Sequence, residues 1–151
     1  MKRVIFIFVW FLALVMLPIS YANASDDDVA STSFLLKAVV DTKTQQMQVF
    51  KNNELLHTWK TSTGRKGYQT PTGTFAPTWL SRHHRSKQYD NTPMPFAVFF
   101  FNGYAVHATT ATHLLGKTAS HGCVRLSKDN AKIFFELVQE NGMENTEIKV
   151  I

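Results

Sequence analysis

The stretch "FAVFFFNGYAVHA", Phe96–Ala108, decides the fold. Asn102-Gly103 is the dipeptide most typical of a tight turn between two antiparallel strands, and apolar residues flank it on both sides. Side chains alternate along a strand, so His107 lies on the opposite face from Val106 and Ala108. The stretch predicts a β-hairpin that carries a histidine on a rigid strand.

The rest of the chain predicts further strands and a single helix. Gln46–Trp59 has the pattern of a second hairpin, and short strands are expected near Val39, at 74–76 and at 147–150. Ser127 or Asp129 can cap a helix that runs to about Glu140 and ends at Asn141-Gly142. Many short strands against one helix predict a mainly β fold, a small sandwich or partly closed barrel with the helix packed on it.

The segment from Trp79 to Pro95 is aromatic and basic and shows no clear period. We expect a long loop here. A loop of this length in a compact domain is typical of a lid or binding wall, and a tolerated surface insertion is the alternative.

Residues 1–24 have the order of a secretory signal peptide: a basic start, an apolar run and the small-residue motif Ala22-Asn23-Ala24. An uncleaved membrane anchor is the alternative. We expect cleavage near Ala24, a disordered lead over 25–33 and one domain over 34–151, exported to the periplasm or cell envelope. The net charge of +5 is only mildly basic. For an exported protein, it favours an acidic envelope polymer over nucleic acid as a partner.

The stretch "SHGCVRL", Ser120–Leu126, holds the only cysteine of the chain, which therefore cannot form an internal disulfide. Gly122 allows close backbone approach, and N–H groups near Gly122 and Cys123 could stabilise an oxyanion. Arg125 can contact a substrate carboxylate. These flanks favour a nucleophilic thiol whose pKa is lowered by its surroundings.

A nucleophilic thiol also needs a general base, and three histidines lie upstream of or beside it. His107 is the preferred base because a strand holds it, whereas His113 lies in a loop and His121 is close to the thiol in sequence. Two alternatives remain open: Cys123 as buried filler, and a zinc site formed with the three histidines. The spacing of these residues does not match a common zinc motif.

Together these residues resemble the L,D-transpeptidase catalytic domain, also called the YkuD domain, of bacterial cell-wall enzymes. The resemblance rests on His107, the loop of 108–119 and then Ser120-His121-Gly122-Cys123-Val124-Arg125. The stretches "STG" at 62–64 and "TPTGTF" at 70–75 are also similar to that family. The resemblance covers about 34–151.

The resemblance implies a YkuD-like β-sandwich and a cysteine thioester mechanism without cofactor or metal. Cys123 would attack the carbonyl between meso-diaminopimelate and D-alanine of a peptidoglycan stem, with His107 as base. It also implies supporting roles: oxyanion donors at Gly122 and Cys123, a carbonyl of Ala108 or His121 that orients His107, and substrate contacts from Arg125 and Ser120.

The acceptor would be an amine of a second stem, a lipoprotein lysine or water, and carbapenem-type inhibitors are expected to acylate Cys123. Two other classes stay open. One is a secreted Cys-His cell-wall peptidase or carboxypeptidase, although such enzymes normally place the cysteine before the histidine. The other is a non-catalytic envelope-binding β-domain. Rapid alkylation of Cys123 below pH 7 would favour an enzyme.

Overall fold

The computed structural model describes residues 36–151. The predicted signal peptide and the polar lead lie outside these residues. Among the described residues, no helix is long and apolar enough to cross a membrane.

Five strands form the first sheet. They are β1 (Leu36–Asp41), β2 (Gln46–Lys51), β3 (Glu54–Lys60), β4 (Gly73–Phe75) and β9 (Thr146–Val150), in the order β3-β2-β1-β9-β4. The predicted hairpin of 46–59 is confirmed as the antiparallel pair β2–β3. The final strand β9 lies parallel to β1 and antiparallel to β4, so the two ends of the described chain meet in one sheet.

Four strands form the second sheet in the order β5-β6-β7-β8: β5 (Trp79–Arg85), β6 (Pro93–Phe101), β7 (Tyr104–Ala108) and β8 (Val124–Leu126). The hairpin around Asn102-Gly103 is confirmed as β6–β7. The short strand β8 joins parallel to β7, with His107 opposite Arg125. This pairing brings the sequence around Cys123 beside the strand that carries His107.

A single α-helix, α1 (Lys128–Asn141), follows β8 directly. The Ser127 hydroxyl caps it by accepting a hydrogen bond from the Asn130 N–H at 3.3 Å, and Gly142 ends it at φ 88°. Both helix boundaries agree with the prediction. The buried face of the helix carries Phe134, Phe135 and Val138.

One apolar core joins both sheets and α1. It includes Leu36 and Val40 from β1, Val106 from β7, Leu126 from β8 and Phe134 from the helix. The mainly β, two-sheet fold with one packed helix is confirmed, and the sheets do not close into a barrel.

The predicted long loop over Trp79–Pro95 is wrong for most of its length. Trp79–Arg85 is the edge strand β5, β6 begins at Pro93, and only 86–92 connect them. An edge strand can expose aromatic and basic residues on either face, which hides the period-two pattern. Pro93 and Pro95 are tolerated because β6 pairs with β7 only from Val98 onward, which leaves one side of its first residues free of ladder bonds.

The outer face of the second sheet carries a separate apolar cluster, away from the main core. Met94, Ala97, Phe99 and Ala105 are buried there, and Cys123 packs against them. The thiol therefore lies on the outer face of the sheet, the face that also carries His107 by the alternation of β7.

Candidate active site

Cys123 and His107 line the same cavity, which we call the thiol cavity. It has a volume of about 130 Å³, and Arg125 and Tyr89 also line it. The pairing of β7 with β8 produces this arrangement, because Cys123 directly precedes β8 and His107 lies opposite Arg125. The structure thus brings together the thiol, the imidazole and the guanidinium selected from the sequence.

The imidazole of His107 is buried and held in one orientation. Its Nδ1 lies 2.8 Å from the carbonyl oxygen of Ala108. A carbonyl can only accept, so Nδ1 carries the proton and Nε2 keeps its lone pair. The pKa of His107 is lowered to about 4, mainly by burial; the Ala108 hydrogen bond opposes this shift, and the charges of Arg125 and His84 add to it. His107 is therefore neutral at pH 7, the form that a general base requires.

The expected lowering of the Cys123 pKa is wrong for the resting site. Burial raises the pKa of this thiol, and the Ala105 backbone amide and the Arg125 charge offset that effect only partly. The sequence showed the charged neighbours but not the apolar cluster that desolvates the sulfur. A neutral thiol beside a neutral imidazole needs proton transfer at the moment of attack, rather than a thiolate formed in advance.

The Ser120 hydroxyl braces the turn that presents the thiol. It donates to the Cys123 carbonyl at 2.6 Å and accepts from the Gly122 N–H at 3.0 Å. The side chain of Ser120 is therefore occupied within the motif, as is the Gly122 N–H that the sequence assigned to an oxyanion. The Cys123 N–H, for which residues 36–151 supply no acceptor, is the donor that remains.

Gly122 is required by geometry rather than by chemistry. Its φ of 110° is unfavourable for any L side chain, and a Cβ atom at this position would overlap the ring of Tyr104. The Tyr104 ring thus fixes how closely the turn approaches the β6–β7 hairpin.

Residues 62–70 hold the motif from the opposite side, a role that the sequence did not reveal. Ser62 and Arg125 exchange two backbone hydrogen bonds of 3.0 and 2.9 Å. The Thr70 hydroxyl donates to the Gly122 carbonyl at 2.8 Å and accepts from the Gly64 N–H at 2.9 Å. The resemblance drew attention to "STG" and "TPTGTF", but only the fold shows that they contact the thiol turn.

His121 lies at the rim of the cavity and has different partners from those expected. Arg65 donates to its Nε2 at 2.7 Å, so His121 carries its proton on Nδ1. Its ring stacks on Tyr89 at 4.5 Å and meets Tyr68 edge-on at 4.8 Å. Of the two carbonyls proposed to orient His107, that of Ala108 makes the hydrogen bond.

Arg125 presents an unpaired cation to the thiol cavity. Its guanidinium is half-buried, and among the described residues no acidic side chain pairs with it. It also lines an adjoining cavity of about 230 Å³ together with Ala108 and Lys128. A half-buried guanidinium without a protein partner is suited to a carboxylate of a ligand.

Two wider grooves meet at Cys123. The Tyr104 groove, lined among others by Tyr68 and Tyr104, has a volume of about 680 Å³. The Trp79 groove, lined among others by Trp79 and Phe99, has a volume of about 510 Å³. Tyr89, from the connection between β5 and β6, lines both grooves and the thiol cavity.

His113 does not take part in the site. It is exposed on a short 3-10 turn, Thr112–Leu114, and does not line the thiol cavity. Within residues 36–151, no three side chains of His, Cys, Asp or Glu converge as metal ligands would. The zinc alternative therefore has no ligand set in the described part of the chain.

Comparison with known proteins identifies the class. The model of the family "YkuD: L,D-transpeptidase catalytic domain" matches residues 37–150, so the chain belongs to that family. The chain is 31% identical to the probable L,D-transpeptidase YbiS of Escherichia coli strain K12, over 41% of this chain and 25% of YbiS. It thus spans about a quarter of the length of this curated relative.

Two solved structures extend the comparison. The structure of the L,D-transpeptidase LdtMt1 in complex with imipenem is 25% identical, with a TM-score of 0.70 over 78% of this chain and 59% of the other. The L,D-transpeptidase of Stackebrandtia nassauensis is 26% identical, with a TM-score of 0.68 over 77% of this chain and 55% of the other.

Proposed function

We propose that this protein is a peptidoglycan L,D-transpeptidase that works through a thioester on Cys123. One observation carries the proposal: the thiol, a neutral imidazole and an unpaired guanidinium line a single cavity. The membership of the chain in the L,D-transpeptidase family supports the same reaction. The donor is a tetrapeptide stem, cleaved between meso-diaminopimelate and D-alanine.

In the first half-reaction, the Cys123 sulfur attacks the stem carbonyl while its proton passes to Nε2 of His107. The carbonyl oxygen becomes an oxyanion, for which the Cys123 N–H is the available backbone donor. The C–N bond then breaks, and His107 returns the proton to the departing amine of D-alanine. The product is a thioester between Cys123 and the stem.

In the second half-reaction, an acceptor amine attacks the thioester carbonyl and loses a proton to His107. The C–S bond breaks and the thiol regains that proton, which restores the neutral pair. An amine of a second stem gives a crosslink, and a lipoprotein lysine gives protein anchoring. Water as acceptor gives carboxypeptidation.

Arg125 is the residue that we assign to the carboxylate of the donor stem. The two wider grooves that meet at Cys123 offer separate approaches for donor and acceptor, with Tyr89 between them. This arrangement favours transfer between two stems, because both can be present when the thioester forms.

Mass spectrometry of the purified protein tests the chemistry. Incubation with imipenem is expected to add one inhibitor mass to the wild-type protein and none to Cys123→Ala, which removes the nucleophilic sulfur. The similar protein LdtMt1 has been solved in complex with imipenem, which supports the choice of probe. An adduct on Cys123→Ala would contradict the thioester mechanism.

Incubation with tetrapeptide muropeptides then separates the acceptors. Crosslinked dimers indicate transpeptidation, and release of D-alanine without dimers indicates hydrolysis. Cleavage at any other bond of the stem would favour the cell-wall peptidase alternative. Absence of both adduct and turnover would favour the non-catalytic binding domain.

We also propose that the protein works outside the cytoplasm, in the periplasm or cell envelope. The support is the order of basic, apolar and small residues over 1–24. Fusion of 1–24 to a reporter enzyme that is active only after export tests this location. An inactive fusion would contradict it, and N-terminal sequencing of the exported protein locates the cleavage point.

A further inference from the structure

Trp79 is the most exposed aromatic side chain in the described part of the chain, with 52% of its surface accessible. It begins the edge strand β5 and stacks on Phe99 of β6, with ring centroids 4.8 Å apart and planes at 19°. His84 meets both rings edge-on, at 5.3 Å from Trp79 and 4.9 Å from Phe99. Phe99 stacks on one face of the indole, and about half of the Trp79 residue remains accessible.

This aromatic platform of Trp79, His84 and Phe99 lies in the groove that leads to the thiol. The Trp79 groove of about 510 Å³ is lined by all three residues and by Cys123. Polar side chains of Thr78, Lys87 and Gln88 line it as well, and no acidic side chain of residues 36–151 does. The groove thus combines an accessible aromatic residue with hydrogen-bonding groups.

Strand pairing gives the distance between the platform and the thiol. Trp79 is opposite Phe99, and Phe99 is opposite Ala105, so Trp79 and Ala105 are two strand spacings apart, about 10 Å. The Cys123 side chain packs against the buried cluster that contains Ala105. Trp79 is therefore about 10 Å across the sheet from a residue that the Cys123 side chain contacts.

Three residues of extended peptide span roughly the same distance, about 10 Å. In the proposed reaction, which this inference assumes, the carbonyl at Cys123 belongs to the third residue of the stem. The sugar is joined beyond the first residue of the stem, so it lies at least this far from the thiol and can reach the platform. A pyranose ring has an apolar C–H face that stacks on aromatic rings and hydroxyl and amide groups at its edge, which match the polar residues of the groove.

We propose that the aromatic platform of Trp79, His84 and Phe99 binds an N-acetylated pyranose of the glycan strand that carries the donor stem. The enzyme then recognises its donor at two points, the stem at the thiol cavity and the sugar on Trp79. The platform contributes to binding of the donor, not to the chemical step.

A comparison of two substrates tests this proposal. One is the free tetrapeptide stem, and the other is the same stem attached to its disaccharide. Trp79→Ala is expected to lower kcat/KM for the disaccharide substrate about three- to tenfold, the range that one aromatic stacking contact supplies. The kcat/KM for the free tetrapeptide and the rate of imipenem acylation should be unaffected. Trp79→Tyr should keep most of the wild-type kcat/KM for the disaccharide substrate.

The matched control is Leu55→Ala, which removes another exposed apolar side chain, 49% accessible, from β3 of the other sheet. This variant should leave kcat/KM unchanged for both substrates. Equal losses on both substrates for Trp79→Ala would overturn the proposal, because Trp79 would then contact the peptide or support the fold. Unchanged kinetics on both substrates would overturn it as well.

A binding measurement separates this proposal from the proposed function. Ligand-observed NMR with the peptide-free disaccharide should show saturation transfer to the sugar C–H groups from the wild-type protein and none from Trp79→Ala. This result does not require turnover. If the protein shows neither turnover nor an imipenem adduct but still binds the disaccharide through Trp79, the transpeptidase proposal fails and the platform stands. If it turns over both substrates but does not bind the disaccharide, the platform fails.

Discussion

The two sides of the thiol cavity are built in different ways. On one side, the thiol turn of 120–125 is fixed by hydrogen bonds from Ser120, from Thr70 and from the Ser62–Arg125 pair. On the other side, the wall formed by β5 and 86–92 meets the site through ring contacts such as Tyr89 on His121. Hydrogen bonds fix position and angle, whereas stacking tolerates sliding. We infer that the turn sets the rate of chemistry and that the wall sets substrate binding.

The largest effect is expected for the base. His107→Gln keeps a side chain of similar size but has no basic nitrogen to accept the thiol proton. Because general-base catalysis contributes about 10²- to 10⁴-fold, acylation by imipenem should slow by that factor, measured by stopped-flow or timed mass spectrometry.

The control is His113→Gln, since His113 is exposed and outside the cavity. It should react at the wild-type rate. An unchanged rate for His107→Gln would contradict the assignment of His107 as the base. It would also contradict the inference that the thiol turn sets the rate of chemistry and the wall sets substrate binding.

The stability of the protein should depend on pH through His107. The pKa of this imidazole is about 4 in the folded protein against 6.5 as a free side chain, so between those values the unfolded chain binds a proton that the folded chain does not. The free energy of unfolding should therefore fall as the pH decreases from 6.5 to 4, by about 3 kcal/mol in total.

Urea unfolding at several pH values measures this effect. The difference in unfolding free energy between wild-type protein and His107→Gln isolates the contribution of the imidazole. A difference between wild type and His107→Gln that stays constant from pH 7 to pH 4 would show that His107 is not held neutral by burial.

The next effect tests the hydrogen bonds of the turn. Thr70→Val keeps the shape of the side chain but leaves the Gly64 N–H and the Gly122 carbonyl without their partner. Because unpaired buried polar groups each cost about 1–3 kcal/mol, the free energy of unfolding should fall by at least that amount. Acylation should also slow at a temperature where the variant is fully folded, since the turn loses its support.

Thr70→Ser is the matched control, because it retains the hydroxyl and should stay close to wild type in both measurements. Loss of stability in Thr70→Val with an unchanged acylation rate would contradict the inference that the thiol turn sets the rate of chemistry. It would mean that the hydrogen bonds support the fold without positioning the thiol.

The fold and the placement of His107 and Cys123 in one cavity were predictable from sequence for physical reasons. Asn102-Gly103 specifies a tight turn locally, and the alternation of β7 then determines the face of His107. The helix α1 was predictable because its cap and its ending glycine are local signals.

The remaining features depend on contacts that are distant in sequence. The raised pKa of Cys123 comes from burial against the apolar outer face of β6 and β7, and the hydrogen bond from Thr70 to Gly122 spans 52 residues. The strand β5 was missed because an edge strand that lines an open groove need not alternate between apolar and polar residues.

The smallest effect is expected on the wall. Tyr89→Ala removes the ring that stacks on His121 at 4.5 Å and lines the thiol cavity, the Tyr104 groove and the Trp79 groove. Loss of this pair should lower the free energy of unfolding by about 0.5–1.5 kcal/mol, and loss of an aromatic contact of similar energy with the substrate should raise KM for muropeptide about two- to tenfold, with kcat nearly unchanged. Tyr89→Phe keeps the stacked ring and should match wild type. A fall in kcat with an unchanged KM would instead place Tyr89 with the thiol turn, and the division between a fixed and an adjustable side of the cavity would then be wrong.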